Sequence, residues 1–139
     1  MVYTQTLHIP THGNCHLVDI TAQVQQAVDQ SGLKNGVVTV FNVGSTAGIT
    51  TIEFEPGLVH HDMKAAFEKL APENASYEHE KTWHDDNGHA HVRASLLGPS
   101  LAVPFCDGAL TLGTWQQITL IDFDTRKRTR KIVCQIIGE

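Results

Sequence analysis

Apolar and polar positions alternate from Tyr3 to Pro10 with the period of two that marks a strand, and Thr11-His12-Gly13-Asn14 reads as the turn that ends it. His16 to Ile20 predicts a second, shorter strand. The period then changes. Ile20, Val24, Ala27 and Val28 stand at i, i+4, i+7 and i+8, one face of a helix that Asp19 or Thr21 can cap. Gly32 ends that helix, with Leu33 folding back on its last turn. Val37 to Val43 is β-branched and apolar on both faces, the pattern of a central strand. After the small-residue loop Gly44-Ser45-Thr46-Ala47-Gly48, a strand is expected from Ile49 to Glu55, with Thr51, Glu53 and Glu55 on one face and Ile52 and Phe54 on the other. Pro56-Gly57 breaks it.

A second helix should turn Val59, Met63, Ala66, Phe67 and Leu70 inward and stop before Pro72. Asn74 to Gly88 reads as a long polar loop. His89 to Leu97 and Leu101 to Phe105 flank Gly98-Pro99, and Asp107-Gly108 turns the chain. Gln116 to Phe123 and Arg130 to Ile137 look like the arms of one antiparallel hairpin joined through a basic turn. Strands mixed with two or three helices predict a single α+β domain over residues 1–139, built on mainly antiparallel sheet.

The chain has 139 residues, 41% hydrophobic and 18% charged, an ordinary globular composition. Ten basic residues against fifteen acidic give a net charge of −5, which argues against a nucleic-acid binder. No apolar run is long enough for a membrane span, and the first residues carry no signal-peptide pattern, so a cytoplasmic location is the expectation. Cys15, Cys106 and Cys134 are odd in number and widely spaced, neither a disulfide framework nor a zinc knuckle. Cys134 alternates with Ile132 and Ile136 and should be a buried small hydrophobe.

Nine histidines change the picture, because imidazole is the commonest metal ligand and the physiological proton carrier. Six of them fall between His60 and His91. Within Trp83-His84-Asp85-Asp86-Asn87-Gly88-His89-Ala90-His91-Val92-Arg93, an extended backbone would put His89, His91 and Arg93 on one face. Such a His-x-His pair can share one metal, with His79 or His84 completing a site of three and Asp85 or Asp86 orienting the rings. Two other readings stand beside it: a solvated polar loop, and an anion site in which imidazolium and Arg93 act as donors. Glu53 is either a solvated outer-face residue or a carboxylate acting as ligand or base. Ser45-Thr46-Ala47-Gly48 offers hydroxyls and backbone N–H groups to a phosphate but lacks the P-loop lysine. The run Arg126 to Lys131 reads as a charged hairpin turn, with anion or partner binding second.

Ser45-Thr46-Ala47-Gly48-Ile49, Tyr77-x-His79, Asn87 to Ser100 and Gly113-Thr114-Trp115-Gln116-Gln117-Ile118 together resemble the YjbQ-type family, also called secondary thiamine-phosphate synthases. The resemblance covers nearly the whole chain. It implies a YjbQ-like fold, a homotrimer with sites near subunit boundaries, and a weak transferase activity. That activity joins a pyrimidine diphosphate to a thiazole phosphate and releases diphosphate. The positions matching the family pattern are Glu53, Asp62, His79, His91, Arg93, Ser95, Ser100 and Trp115. Many relatives carry histidine just before the Ser/Thr-rich segment, where this chain has Gly44.

The expectation is therefore a trimeric transferase on phosphorylated small molecules. His79, His89 and His91 would hold a divalent metal, zinc by ligand softness. Arg93, Ser45 and Thr46, with Ser95, Ser100 and Trp115, would hold the substrate, while Glu53, His91 and Arg93 act in catalysis. A non-catalytic metal- or anion-binding protein is the alternative.

Overall fold

The computed structural model describes residues 1–139. Its strands form two antiparallel sheets, accompanied by four α-helices. The first sheet has the order β1-β8-β3-β5-β6, from β1 (Val2–Thr11), β3 (Gly36–Val43), β5 (Ser100–Cys106), β6 (Ala109–Leu110) and β8 (Arg128–Gly138). The second has the order β2-β7-β4, from β2 (His16–Asp19), β4 (Ala47–Ile52) and β7 (Gln117–Asp122). The helices are α1 (Thr21–Ser31), α2 (Met63–Leu70), α3 (Glu78–Trp83) and α4 (Gly88–Leu97), with a π-helical turn over Leu58–Asp62 leading into α2. Four α-helices stand where two or three were expected.

Two apolar clusters divide the interior. Val38, Val40, Ile132 and Ile136 of the first sheet meet Ile49, Ile118 and Leu120 of the second, with Val24 and Val28 of α1 closing the layer. On the other face of the second sheet, Leu17, Ile121 and Phe123 pack against Phe67 of α2 and Ala90 and Ala94 of α4. The second sheet is thus covered on both faces, which is why β7 is buried at five consecutive positions. Cys134 lies wholly inside the first cluster, and burial pushes its thiol pKa up to about 11.

Several local expectations hold, for the reasons that raised them. The N-cap position of α1 falls on Ile20 and not on Asp19 or Thr21, but Asp19 beside it accepts hydrogen bonds from the backbone N–H (3.0 Å) and hydroxyl (2.7 Å) of Thr21. Gly32 ends α1 in the left-handed conformation, its N–H donating to Asp29. The turn after β1 uses three consecutive left-handed residues, Gly13, Asn14 and Cys15. A Cβ on Gly13 would stand 2.5 Å from the Asp124 carbonyl oxygen and 2.9 Å from that of Arg126. Gly13→Ala should therefore cost more than about 1 kcal/mol in chemical denaturation, against a few tenths for a surface change.

Four expectations are corrected. β7 and β8 are not hairpin partners: β7 pairs with β2 and β4, and β8 with β1 and β3. The connection between them crosses from one sheet to the other, and buried side chains at the crossing hold the two together. β4 runs from Ala47 to Ile52, so Glu53 lies beyond its end, where Glu55 N–H donates to the Glu53 carbonyl oxygen. Ala66 and Leu70 of α2 are exposed, leaving Phe67 as that helix's buried residue. Residues 88–97 form a helix, with Ala90, Ala94 and the partly buried Leu97 at i, i+4 and i+7 packed into the second cluster.

Candidate functional site

The helical conformation of α4 separates the residues that an extended segment would align. Two positions apart on a helix means about 200° around the axis, so His89 and His91 point to opposite sides. His89 and Arg93, four apart, share the buried side. His89 is 2% exposed, tilted against the Tyr77 ring, and its Nδ1 has no hydrogen-bond partner. Burial, and then the charge of Arg93, lowers its pKa. Arg93 is 3% exposed; its Nε donates to the Ala71 carbonyl oxygen at 2.9 Å and its Nη2 to Glu68 at 2.7 Å. Arg93 ties α4 to α2, with two of its three guanidinium nitrogens engaged within the chain. Neither residue joins His91, and no three histidine, cysteine, aspartate or glutamate side chains converge on a common point. The three-histidine site is not formed.

His91 meets His79 instead. Their ring centroids are 4.4 Å apart, His79 coming from the short α3 within the polar segment. Burial and the neighbouring His79 lower the His91 pKa, against the pull of Asp124, Asp85 and Glu80. His91 is therefore a neutral imidazole at neutral pH, able to accept a proton or lend a lone pair. His79 Nε2 lies 3.3 Å from Asp85 Oδ1. The Asn87 carboxamide sits beside both. One of its ends is 3.0 Å from His79 Nε2 and 3.1 and 3.2 Å from the two Asp85 oxygens. Its other end faces the Asp124 oxygens at 3.4 and 3.5 Å.

Asp124 connects this cluster to the loop before β4. It accepts hydrogen bonds from the Thr46 hydroxyl (2.8 Å), Arg128 Nη2 (2.8 Å) and the Thr125 N–H (2.7 Å). Burial would raise its pKa, but these donors outweigh it and hold the carboxyl below the ordinary range. Beneath it, Asp122 is fully buried and accepts from Arg130 Nε and Nη2, both at 2.7 Å, and from the Thr11 hydroxyl. Arg130 Nη2 also donates to Thr46 at 2.8 Å. Arg128 and Arg130 thus leave the expected solvated turn to serve the crossing between sheets.

The third nitrogen of Arg130, Nη1, makes no hydrogen bond within the chain. It lies 3.1 Å from where a Cβ would stand on Gly44. Gly44, Ser45, Ala47, Ala94, Ser95 and Pro99 line an adjacent pocket of about 160 Å³. Ser95, whose hydroxyl donates to the His91 carbonyl oxygen, is one helical turn beyond His91. Ser45, Thr46, His79, His91 and Ser95 are therefore brought to one end of the second sheet. Ser100 is exposed at the head of β5, directly after Pro99.

Glu53 and Trp115 are not there. Ala47 pairs with Asp122 at one end of the β4–β7 ladder and Ile52 with Gln117 at the other. Glu53 and Trp115 follow the far end, roughly 20 Å away by strand rise. Trp115 is 71% exposed, near a second pocket of about 220 Å³ lined by Thr51, Leu101, Pro104, Leu112 and Gln116, among others. Asp62 is exposed at the end of the π-helical turn, beside His61. His84 caps α3 on the surface, and His12 stacks on His16 at the N-terminal turn. Asp124 was absent from the residues singled out by spacing; Asn87 stood there only as part of the histidine-rich segment, and Arg130 only within the basic run whose second reading was anion or partner binding.

Comparison with known proteins agrees with this architecture. Residues 5–139 match the family model described as UPF0047 protein YjbQ-like. A UPF0047 protein of Methanothermobacter thermautotrophicus is 38% identical over 99% of this chain and 94% of its own. YugU of Bacillus subtilis, also a UPF0047 protein, is 34% identical over 96% and 98%. Among solved structures, a protein of unknown function from Sulfolobus solfataricus superposes with a TM-score of 0.93 at 38% identity, covering 100% of this chain and 99% of the other. One from Clostridium acetobutylicum gives 0.83 at 37%, over 97% and 99%. The chain belongs to the YjbQ/UPF0047 family.

Proposed function

We propose that this protein is a transferase for phosphorylated small molecules, with its substrate seated between the Gly44–Ala47 loop and α4. The observation that carries the reading is Arg130 Nη1. Arg130 is 3% exposed, its Nε and Nη2 are engaged, and its unpartnered Nη1 lies behind Gly44, which lines the pocket; there it would be a fixed donor for a phosphoryl oxygen. Ser45 and Ser95 add hydroxyls on the same wall. Arg130 takes the part first given to Arg93. A Cβ at Gly44 would stand 3.1 Å from Nη1, between it and the pocket's side of the loop.

In the reaction implied by the family resemblance, the bond from the pyrimidine methylene carbon to diphosphate breaks and its electron pair leaves on the diphosphate oxygen. The thiazole nitrogen then uses its lone pair to form the new C–N bond. No protein nucleophile is required, which suits a site whose cysteines lie elsewhere. Arg130 and the pocket hydroxyls neutralise and orient the leaving group, and His91 exchanges protons with it.

The same reading includes a homotrimer. Residues matching the family pattern sit at opposite ends of the second sheet, so one chain cannot use both groups on one small substrate. A neighbouring copy can supply Glu53 and Trp115 to the His91 end. The outer face of β3 favours such packing: Val37, Phe41 and Val43 are 40–46% exposed although the strand reads as apolar on both faces.

Diphosphate release from the two substrates is the test. The wild-type protein should turn over. Ser95→Trp, which fills the pocket from an exposed helix position, should lower kcat/KM by more than tenfold while leaving the melting temperature within a few degrees. A wild-type protein that binds phosphorylated ligands without turnover would instead support the non-catalytic reading. The observation favouring that second reading is the distance of Glu53 from His91 within one chain.

A further inference from the structure

We propose that His79, Asp85 and Asn87 form the binding site for a divalent metal cation, a ligand set different from the three histidines suggested by spacing. The Asn87 carboxamide has one end that donates and one that accepts, yet both of its ends face carboxylates, Asp85 on one side and Asp124 on the other. Turned with its oxygen toward Asp124, it sets a carbonyl oxygen 3.4 Å from a carboxylate. Turned the other way, its oxygen lies 3.1 Å from Asp85. A neutral imidazole carries one proton, and His79 Nε2 cannot serve both the amide oxygen at 3.0 Å and Asp85 Oδ1 at 3.3 Å equally. Turned with its nitrogen toward His79 and Asp85, the amide donates to both, and only its oxygen, 3.4 Å from Asp124, is then set against an acceptor.

A cation removes the conflict. With its oxygen toward His79, Asn87 donates to Asp124, and three lone-pair donors (His79 Nε2, Asp85 Oδ1 and Asn87 Oδ1) face one another. Their separations of 3.0 to 3.3 Å describe a nearly regular triangle. Ligands bonded at about 2.0–2.1 Å lie about 3.0 Å apart in an octahedron and about 3.3 Å apart in a tetrahedron, so this triangle has the edges of one face of either. The donors are one imidazole, one carboxylate and one amide oxygen, with no thiolate, which suits zinc or manganese among the divalent ions. Asp124 orients the amide from behind, and its bonds to Thr46 and Arg128 fix it in turn. Three protein ligands leave coordination positions open beside the His91 ring.

This inference concerns the site of the proposed transferase but is measured without any substrate. Metal-free protein, purified without a histidine tag, is titrated with ZnCl2 and with MnCl2 by calorimetry, and melting is followed with and without the ion. One equivalent should bind and raise the melting temperature. His79→Ala and Asp85→Asn should each weaken binding at least tenfold, since both side chains are partly exposed and their metal-free melting temperatures should stay near wild type. The surface pair change His60→Ala with His61→Ala should leave binding intact. Absence of one-to-one binding at millimolar ion, or binding that survives Asp85→Asn unchanged, would overturn the proposal. Binding without turnover would keep the metal site and remove the transferase; turnover by metal-free protein with no binding would do the reverse.

Discussion

Asp122→Ala should destabilise the protein by about 3–5 kcal/mol, the typical result of removing one partner from a buried ion pair. Asp122 is completely inaccessible, and its carboxylate takes both Arg130 nitrogens at 2.7 Å, the Thr11 hydroxyl and the Asp124 N–H at 3.0 Å. Alanine would leave a buried guanidinium without its carboxylate, keeping only the Nη2 contact with Thr46. Replacing both partners, Asp122→Leu with Arg130→Met, should cost less than Asp122→Ala alone, because no charge is then stranded. Urea denaturation of the three proteins checks the ordering.

The same carboxylates predict the acid limb of stability. Burial would raise the pKa of Asp122 and of Asp124, but hydrogen bonds from Arg130 and Thr11 to the first, and from Thr46 and Thr125 to the second, hold both below the ordinary range. As pH falls, the unfolded chain binds these protons first, near pH 4. The stabilisation is therefore complete above the unfolded value and is lost as pH drops through the folded one. Wild type should lose stability steeply below about pH 4, and Asp122→Ala, already lacking one such group, should show a shallower decline.

The second large effect is catalytic. His91→Ala should lower kcat/KM by about 10²- to 10⁴-fold, the range for removing a positioned acid–base group. The imidazole is neutral at pH 7 because burial and His79 depress its pKa, so it is ready to accept a proton without prior ionisation. His91 is only partly buried and is not part of the apolar cluster to which Ala90 and Ala94 belong. The melting temperature should therefore hardly move. His89→Ala should do the opposite, destabilising the α4 packing with a smaller effect on the chemical step. A common loss of activity and stability in both variants would mean that His91 is structural.

How far the chain announces its own structure depends on the range of the interactions. β1, α1 and β3 were legible because their alternation or helical spacing is a local property, and Asp19-Thr21 and Gly32 mark the ends of α1. The two arms around Arg126–Lys131 alternate equally well, but nothing local says that one joins β2 and β4 while the other joins β1 and β3. That choice is made by the layers closing on each other, and by Asp122 meeting Arg130 across the gap. In α4 the His-x-His spacing suited a strand, whereas Ala90, Ala94 and Leu97, with helix-forming residues between and Gly98-Pro99 after them, suited a helix. The apolar seam decided it, because that seam is what the second cluster buries.

The site follows the same division. His79 and His91 stood out as residue types and do meet. Arg93 also stood out, yet its fate was set by the helix face it shares with His89 and by Glu68 and the Ala71 carbonyl. Asn87, Asp124 and Arg130 acquire meaning only when three separate stretches of chain converge. Glu53 and Trp115 match a family pattern without sharing an end of the sheet with His91, a separation that sequence alone hides.

That separation supplies the most direct measurement. Two variants, His91→Ala and Glu53→Gln, are each expected to be inactive; if the protein is the proposed homotrimer, co-expressing them with different affinity tags and purifying on both would yield mixed trimers. If each site combines His91 of one copy with Glu53 of the next, every trimer containing both variants has one intact site in three, and roughly a third of wild-type activity returns. A mixed trimer as inactive as its parents would contradict a site completed by a neighbouring copy.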